Sequence, residues 1–355
     1  MPDFAQMGLA MNLALFVVAA AVVWAAGARL SRYAEAISDR TGLGDAVLGV
    51  LLLGGVTSLP ELAVSLTSAS RGNAELAVNN LLGGVAAQVA ILAVADFLIG
   101  RRALTSVVPD PTVLLQGALN VLLLSVVAMG IVVGDRSVLG VGLWVWGVLA
   151  IALYSIRKVA LSAGRRPWRA VATRGSPAPE PERHGGGDGG GEAGRKKHDG
   201  LGALAAKTAG VGFAILAAGY VVSRTAEAIA DETGLGASFV GVFLVAVSTS
   251  LPEVSTVLSA VRLGLYTMAI SDILGTNLFD IGLLFAVDLA AGGEPVLDRV
   301  GPFSAVGAVL GITVTALLLA GLAERSDRTI LRMGTDSAAV LVAYVGGLVL
   351  LYTLR

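Results

Sequence analysis

The sequence predicts an all-α integral membrane protein. Its ten transmembrane helices form two inverted five-helix repeats, with discontinuous helices 2 and 7 meeting around a site at mid-membrane. Three observations carry this expectation. The 355 residues are 55% hydrophobic and only 14% charged, with a mean hydropathy of +0.80, whereas about a quarter of the residues of soluble domains are charged. Apolar runs long enough to cross a bilayer recur along the whole chain. Finally, Thr57-Ser58-Leu59-Pro60-Glu61 returns as Thr249-Ser250-Leu251-Pro252-Glu253, 192 positions later.

The apolar runs lie at about 8–28, 43–70, 74–99, 110–134 and 138–157, then 201–222, 235–261, 266–291, 300–322 and 337–354. They are continuously apolar and lack the two-residue period of barrel strands, so they are helices. The first run is longer than a signal-peptide core and has no small-residue cleavage site, so it reads as a retained span. The second and seventh runs contain Pro60 and Pro252. A proline there removes one backbone hydrogen bond and frees a carbonyl in the preceding turn, which breaks the helix. Between the fifth and sixth runs the composition shifts: Pro177, Pro179 and Pro181 alternate with small or charged residues, and Gly185–Gly191 is nearly all glycine. Such a segment has too little apolar surface to order itself, so 164–199 is expected to be a flexible loop. Both histidines, His184 and His198, fall in it and read as solvated linker residues, with metal binding as the alternative. The chain therefore divides into a half at 1–157, a connecting segment at 158–200 and a half at 201–355.

A net charge of -1 offers nothing to nucleic acid, and the absence of cysteine excludes disulfides, thiolate metal sites and thiol nucleophiles. Lys and Arg placement sets the orientation. With the N-terminus outside, inside loops hold nineteen basic residues against five outside, ten of the nineteen in the central segment from Arg157 to Lys197. Both termini are accordingly expected outside and the central loop in the cytoplasm.

The repeat extends beyond the proline motif. At the same offset, residues 32–44 overlay 224–236 with ten of thirteen positions identical, and Gly83 overlays Gly275. An odd number of spans per half makes the second half enter the membrane from the opposite side. Inverted repeats of this kind build a shared site at the membrane midplane.

The residues at that site suit a cation. The broken helices offer carbonyl oxygens; Thr57, Ser58, Thr249 and Ser250 add hydroxyls; Glu61 and Glu253 add anionic oxygens. Oxygen-only ligation suits Na⁺ or Ca²⁺ and not a soft transition metal. In the following span, Thr276 and Asp280 are four apart and share a helix face. The first-half counterpart of Asp280 is Gln88, which reads either as a carbonyl ligand or as an interhelical hydrogen-bonding residue. Asn80 and Asp272 form one further aligned pair, lining an access path or serving structure. Glu35 and Glu227, with Arg32 and Arg224, read as interfacial ion pairs.

These motifs resemble the sodium/calcium exchanger branch of the cation/calcium exchanger superfamily, and within it the short prokaryotic members. The family signature is Gly-Thr-Ser-x-Pro-Glu followed by Gly-Ser-Asn-x-x-Asn/Asp in each inverted α-repeat; here it falls at 57–61, 83–88, 249–253 and 275–280, within repeats at about 32–99 and 224–291. The resemblance implies four central cation ligands, Glu61, Gln88, Glu253 and Asp280. It implies flanking sodium-site positions at Thr57, Ser58, Gly84, Thr249, Ser250 and Thr276. Departures concentrate in the first repeat, where Gly84 replaces the usual Ser, Val85 the usual Asn and Gln88 the usual Asn or Asp; Val56 and Ser248 replace the glycine before Thr-Ser. The implied function is secondary active cation antiport around a midplane ion site, Na⁺/Ca²⁺ exchange by alternating access in a cell inner membrane. Na⁺/H⁺ or Ca²⁺/H⁺ exchange by the same carboxylates is the alternative, and a passive cation channel a further one. No cofactor is implied, the ions being cargo; the expected partners are the lipid bilayer and inorganic cations, with the oligomeric state left open. An intramembrane enzyme is not expected, since no span carries His or Cys.

Overall fold

Helices form where the apolar runs lie. The computed structural model describes residues 4–41, 57–99, 102–108, 110–162, 201–262 and 264–355. After a short 3-10 turn, the first half contains α1 (Leu9–Thr41), α2 (Leu59–Ser70), α3 (Ala74–Ile99), α4 (Leu104–Val107), α5 (Thr112–Val133), the strands β1 (Ser137–Val138) and β2 (Val141–Gly142), and α6 (Leu143–Ser162). The second half begins with α7 (Leu201–Thr233), α8 (Ala237–Val240), a π-helical turn at Gly241–Val245, α9 (Ala246–Thr249) and α10 (Leu251–Arg262). It continues with α11 (Tyr266–Gly282), α12 (Leu284–Ala291), α13 (Pro302–Glu324), β3 (Thr329–Ile330), β4 (Met333–Gly334) and α14 (Thr335–Leu354). Among the described residues, eight helical stretches are long and apolar enough to cross a membrane, or nine if Ala237–Thr249 and Leu251–Arg262, bent by 47°, form one span. The first part of the expected span at 43–70 and the loop at 164–199, with His184 and His198, lie outside the described residues.

Two features correct the sequence expectation. First, the fold is not purely helical: β1 pairs antiparallel with β2, and β3 with β4. Each turn has positive φ at both central residues, Leu139 (55°) and Gly140 (80°), then Leu331 (51°) and Arg332 (69°), the geometry that matches the twist of a two-residue hairpin. Their apolar residues merge with the helix that follows, so the fifth span was expected at 138 and its helix begins at 143. Second, α1 and α7 each run for 33 residues, well past the expected ends at 28 and 222. The apolar run measures bilayer thickness, not helix length. Beyond it, Ala, Arg and Glu are good helix formers and keep the helix going. For α7 it stops before Gly234, whose φ of +66° suits a terminating glycine.

Several helices of the two halves match residue for residue. At the 192-residue offset, α1 overlays α7, α2 overlays α10, α6 overlays α14 and one hairpin overlays the other, with the same first and last positions. The sequence signature covers only part of each half; the geometry repeats across nearly all of it. Packing follows the same order. α1 lies along α7, α2 along α7 and α3, and α13 against α5, α3 and α14. Two large apolar clusters fill the interior, one around Leu123, Leu124, Val145 and Leu284, the other around Ile270, Ile273, Leu274 and Val314.

A pair of buried carboxylates ties the halves together. Asp96 accepts from its own half's Leu104 N–H at 2.6 Å and from Gly334 N–H of the other half at 2.7 Å. Asp288, its counterpart, accepts from Val296 N–H and Gly142 N–H, each at 2.7 Å. Each aspartate thus reaches the other half's hairpin, once at each pseudo-symmetric end. Charge-assisted bonds to backbone amides are among the stronger hydrogen bonds. Asp96→Ala and Asp288→Ala are each expected to cost roughly 3 kcal/mol, because two amides lose their acceptor at a buried site. Thermal unfolding in detergent measures this, and a melting point equal to wild type for both variants would show that the pins carry no load.

Candidate ion-binding site

The segments leading into Pro60 and Pro252 set the backbone of the site. Ser58 lies at φ -77°, ψ 1° and Ser250 at φ -81°, ψ 6°, so the chain takes the same sparsely populated conformation before each proline. Pro252 has no N–H to donate to the Ser248 carbonyl, and the axis turns there by 47°. The preceding π turn lies on α3 with almost no clearance: a Cβ on Gly83 would stand 2.6 Å from Val242 Cα, and one on Gly241 2.9 Å from the Leu76 carbonyl oxygen. Helix irregularities of this kind recur at functional sites. Here the two glycines let Thr249 and Ser250 approach the first half.

All nine candidate residues come together, and none has accessible surface: Thr57, Ser58, Glu61, Gln88, Thr249, Ser250, Glu253, Thr276 and Asp280 are each 0% exposed. Contacts cross between the halves at every level. Thr57 Oγ1 and Thr276 Oγ1 are 3.4 Å apart. Gln88 Nε2 donates to Ser250 Oγ at 3.4 Å and to Asp280 Oδ2 at 3.3 Å. Thr249 and Ser250 stand beside Glu61, and Ser58 beside Asp280; Glu61, Glu253 and Asp280 lie within electrostatic reach of one another.

What remains unpaired defines the chemistry. Among the described residues, both carboxylate oxygens of Glu61 and of Glu253, Asp280 Oδ1, Gln88 Oε1 and Ser58 Oγ are buried and find no hydrogen bond of ordinary geometry. Ion pairs among the described residues join Arg71 and Arg224 to Glu227 and do not reach these carboxylates. Ionised carboxylates at three fully buried positions cost several kcal/mol each unless something compensates them. A cation or a proton is what offsets that cost. The expected ring of ligands is not drawn tight, however: among the described residues, no three acidic or histidine side chains close around one point. Like-charge repulsion between neighbouring carboxylates opposes such closure. Gln88 also presents its amide nitrogen to Asp280, so its carbonyl oxygen is the part left for a ligand.

Other sequence expectations sort clearly. Glu227 is ion-paired with Arg224 and stands 3.9 Å from Arg71, while the Glu35 side chain lies outside the described residues. Sequence reasoning missed two polar residues. Asn277, directly after Thr276, is fully buried, and neither amide atom has a hydrogen-bond partner among the described residues. Asn120, on α5, donates to the Leu274 carbonyl at 2.8 Å and so braces α11 just before Gly275. Their signal was present, an amide in mid-span each time: Asn277 fills the Asn position of the second-repeat motif, where the first repeat has Val85, and Asn120 lies outside the motif pair.

Comparison with known proteins agrees with this geometry. A family model described as sodium/calcium exchanger protein matches residues 11–160 and 204–353. The inner membrane protein YrbG of Escherichia coli (strain K12) is 25% identical over 276 residues, 77% of this chain and 78% of that protein. The fold is similar to that of native YfkE, with a TM-score of 0.61 at 14% identity, covering 99% of this chain and 98% of the other. It is also similar to that of the sodium-calcium exchanger NCX_Mj soaked with Na⁺ and Ca²⁺, with a TM-score of 0.58 at 16% identity over 97% and 99% of the two chains.

Proposed function

The chain belongs to the sodium/calcium exchanger protein family, and from that premise we propose that it exchanges Na⁺ for Ca²⁺ across a prokaryotic inner membrane by alternating access. A multi-span membrane protein of this family is a cation antiporter, not an enzyme. The observation that carries the finer reading is the set of unpaired oxygens on Glu61, Glu253 and Asp280, flanked by hydroxyls from both halves. Glu61, Gln88, Glu253 and Asp280 serve as central ligands; Thr57, Ser58, Thr249, Ser250 and Thr276 flank them. Three carboxylates neutralise one Ca²⁺ or a few Na⁺, and the empty site is too costly to carry across the membrane barrier. Competing ions therefore occupy the site in turn, which is the condition for coupling.

In this reading the chain has ten spans as two inverted five-helix repeats, 1–157 and 201–355. Ala237–Thr249 and Leu251–Arg262 form one discontinuous span, and α2 ends the corresponding one. Both termini lie outside, the basic central segment at 158–200 in the cytoplasm. Support for movement of α1 and α7 over the site comes from their close crossings: a Cβ on Gly27 would stand 2.8 Å from Pro252 Cβ, and one on Gly219 2.6 Å from Ala63 Cβ.

Flux in proteoliposomes tests the reading. Ca²⁺ uptake is expected to follow an outward Na⁺ gradient; uptake that ignores Na⁺ and follows ΔpH instead overturns Na⁺ coupling and leaves Ca²⁺/H⁺ exchange. Gly84→Ser probes the sodium subsite directly. A Cβ there meets nothing closer than Ser250 Oγ at 4.0 Å, so the added hydroxyl fits. It is expected to strengthen Na⁺ competition against Ca²⁺ by roughly 3- to 10-fold, the gain of about one hydrogen-bond-sized contact. Equilibrium competition measures it, and an unchanged Na⁺ constant would remove Gly84 from the site.

A further inference from the structure

The two approaches to the site differ in chemistry although the helices that form them match. Two turns before Asp280 stands Asp272, with Asn80 as its first-half counterpart. Asn80 is fully buried and neutral; its Nδ2 donates to Ser65 Oγ at 3.0 Å, and its Oδ1 accepts from Thr249 Oγ1 at 3.4 Å. Asp272 lies deep among neighbouring atoms yet keeps part of its surface accessible. Its Oδ2 accepts from Thr256 Oγ1 at 2.7 Å.

Thr256 links this carboxylate to the centre. It follows Glu253 by three residues on α10, and its hydroxyl lies 3.0 Å from the Glu253 carbonyl oxygen. The matching residue in the first half is Val64, fully buried in an apolar cluster. Ser255 is likewise replaced there by Ala63. Among the described residues, Thr267, one turn before Ser271 and Asp272, has a buried hydroxyl oxygen without a partner, and Glu253, within electrostatic reach of Asp272, has two such oxygens. At the positions of Asp272, Thr256 and Ser255 one approach thus offers a carboxylate and hydroxyls, where the other has an amide held in a closed network with Ser65, Val64 and Ala63; the first half carries its own exposed carboxylate, Glu75, at the position of Thr267.

We propose that Asp272 and Thr256 form an access subsite for the transported cation, serving one membrane face only. There an incoming ion exchanges part of its water shell for carboxylate and hydroxyl oxygens before it passes to Glu253. Hard cations such as Na⁺ and Ca²⁺ take such oxygens readily, and a carboxylate in a low-dielectric mouth raises the local cation concentration. The face served is the one at which α10 ends and α11 begins, the cytoplasmic face in the orientation proposed above. This inference rests on the antiporter reading.

The test uses full-length protein in proteoliposomes of defined orientation, with Ca²⁺ or Na⁺ varied on one face at a time. Asp272→Asn installs the residue that the first half already carries at this position. It is expected to raise the KM for the cation at that face by roughly 10-fold, the size of a steering effect, with the maximal rate changed less than about 2-fold. The KM at the opposite face should stay at the wild-type value. Thr256→Val is expected to move the same constant in the same direction, which covers the case in which Asp272→Asn fails to fold. Equal KM values for wild type and both variants, or equal shifts at both faces, overturn the subsite while leaving antiport standing. Wild-type protein that moves no cation overturns the transport reading itself.

Discussion

Glu61→Gln and Glu253→Gln are each expected to abolish cation exchange. Both carboxylates are fully buried, and among the described residues none of their four oxygens finds a hydrogen bond of ordinary geometry. A carboxylate about 4 Å from a monovalent cation contributes roughly 4 kcal/mol at an effective dielectric constant of about 20. Losing one such charge weakens binding by about three orders of magnitude. Flux in proteoliposomes should therefore fall to the background of empty vesicles. The same substitutions remove an uncompensated buried charge, so in ion-free buffer the variants should melt no lower than wild type, and higher if the carboxylate is ionised there. Activity lost with stability kept is the signature of a ligand. Wild-type flux in either variant would refute the central-site arrangement, and loss of both flux and stability would mark the residue as structural.

Gly83→Ala should damage the fold where Gly84→Ala does not. The added Cβ at position 83 would stand 2.6 Å from Val242 Cα and 2.8 Å from Val242 C, backbone atoms that cannot rotate away. At position 84 the nearest atom is Ser250 Oγ at 4.0 Å. Overpacking of a tight contact costs about 1–3 kcal/mol, and a backbone-to-backbone clash belongs at the upper end. Relief requires α3 to move away from the π turn, which also separates Gln88 from Ser250. Thermal unfolding in detergent is expected to show a clearly lowered midpoint for Gly83→Ala and one near wild type for Gly84→Ala. Equal midpoints would mean that the close approach of α3 to the π turn is not maintained.

Much of the candidate site was legible because its residues break the rules of a membrane span. Glu61, Glu253 and Asp280 are charges in apolar runs, Pro60 and Pro252 are helix breakers in helices, and each stands out against a background of Leu, Val and Ala. Asn120 was passed over because a lone amide in a span is equally at home in an interhelical hydrogen bond, and Asn277 because its first-half counterpart, Val85, has no polar group. Gln88 read from the sequence either as a carbonyl ligand or as an interhelical hydrogen-bonding residue, and its amide nitrogen makes the interhelical bonds, to Asp280 at 3.3 Å and Ser250 at 3.4 Å; which end of an amide faces a neighbour depends on the neighbour. The hairpins escaped because Leu331 and Arg332 are not residues that announce positive φ, and because their apolar flanks continue into the next helix.

By itself, the sequence determined what is set by local chemistry and by repetition. Apolar runs dictate helices in a bilayer because every backbone group must be satisfied within the chain, and a motif repeated at a fixed offset marks two matched halves. It also picked out Thr-Ser-Leu-Pro-Glu, at whose second copy the helix bends by 47°. Only the tertiary structure decided which atoms meet. The reach of Asp96 and Asp288 into the opposite half, the clearance around Gly83 and Gly84, and the contrast between Asp272 with Thr256 and Asn80 with Val64 all join residues far apart in the chain. Close packing and directional hydrogen bonds, which act at distances of a few ångströms and carry no sequence period, made those decisions.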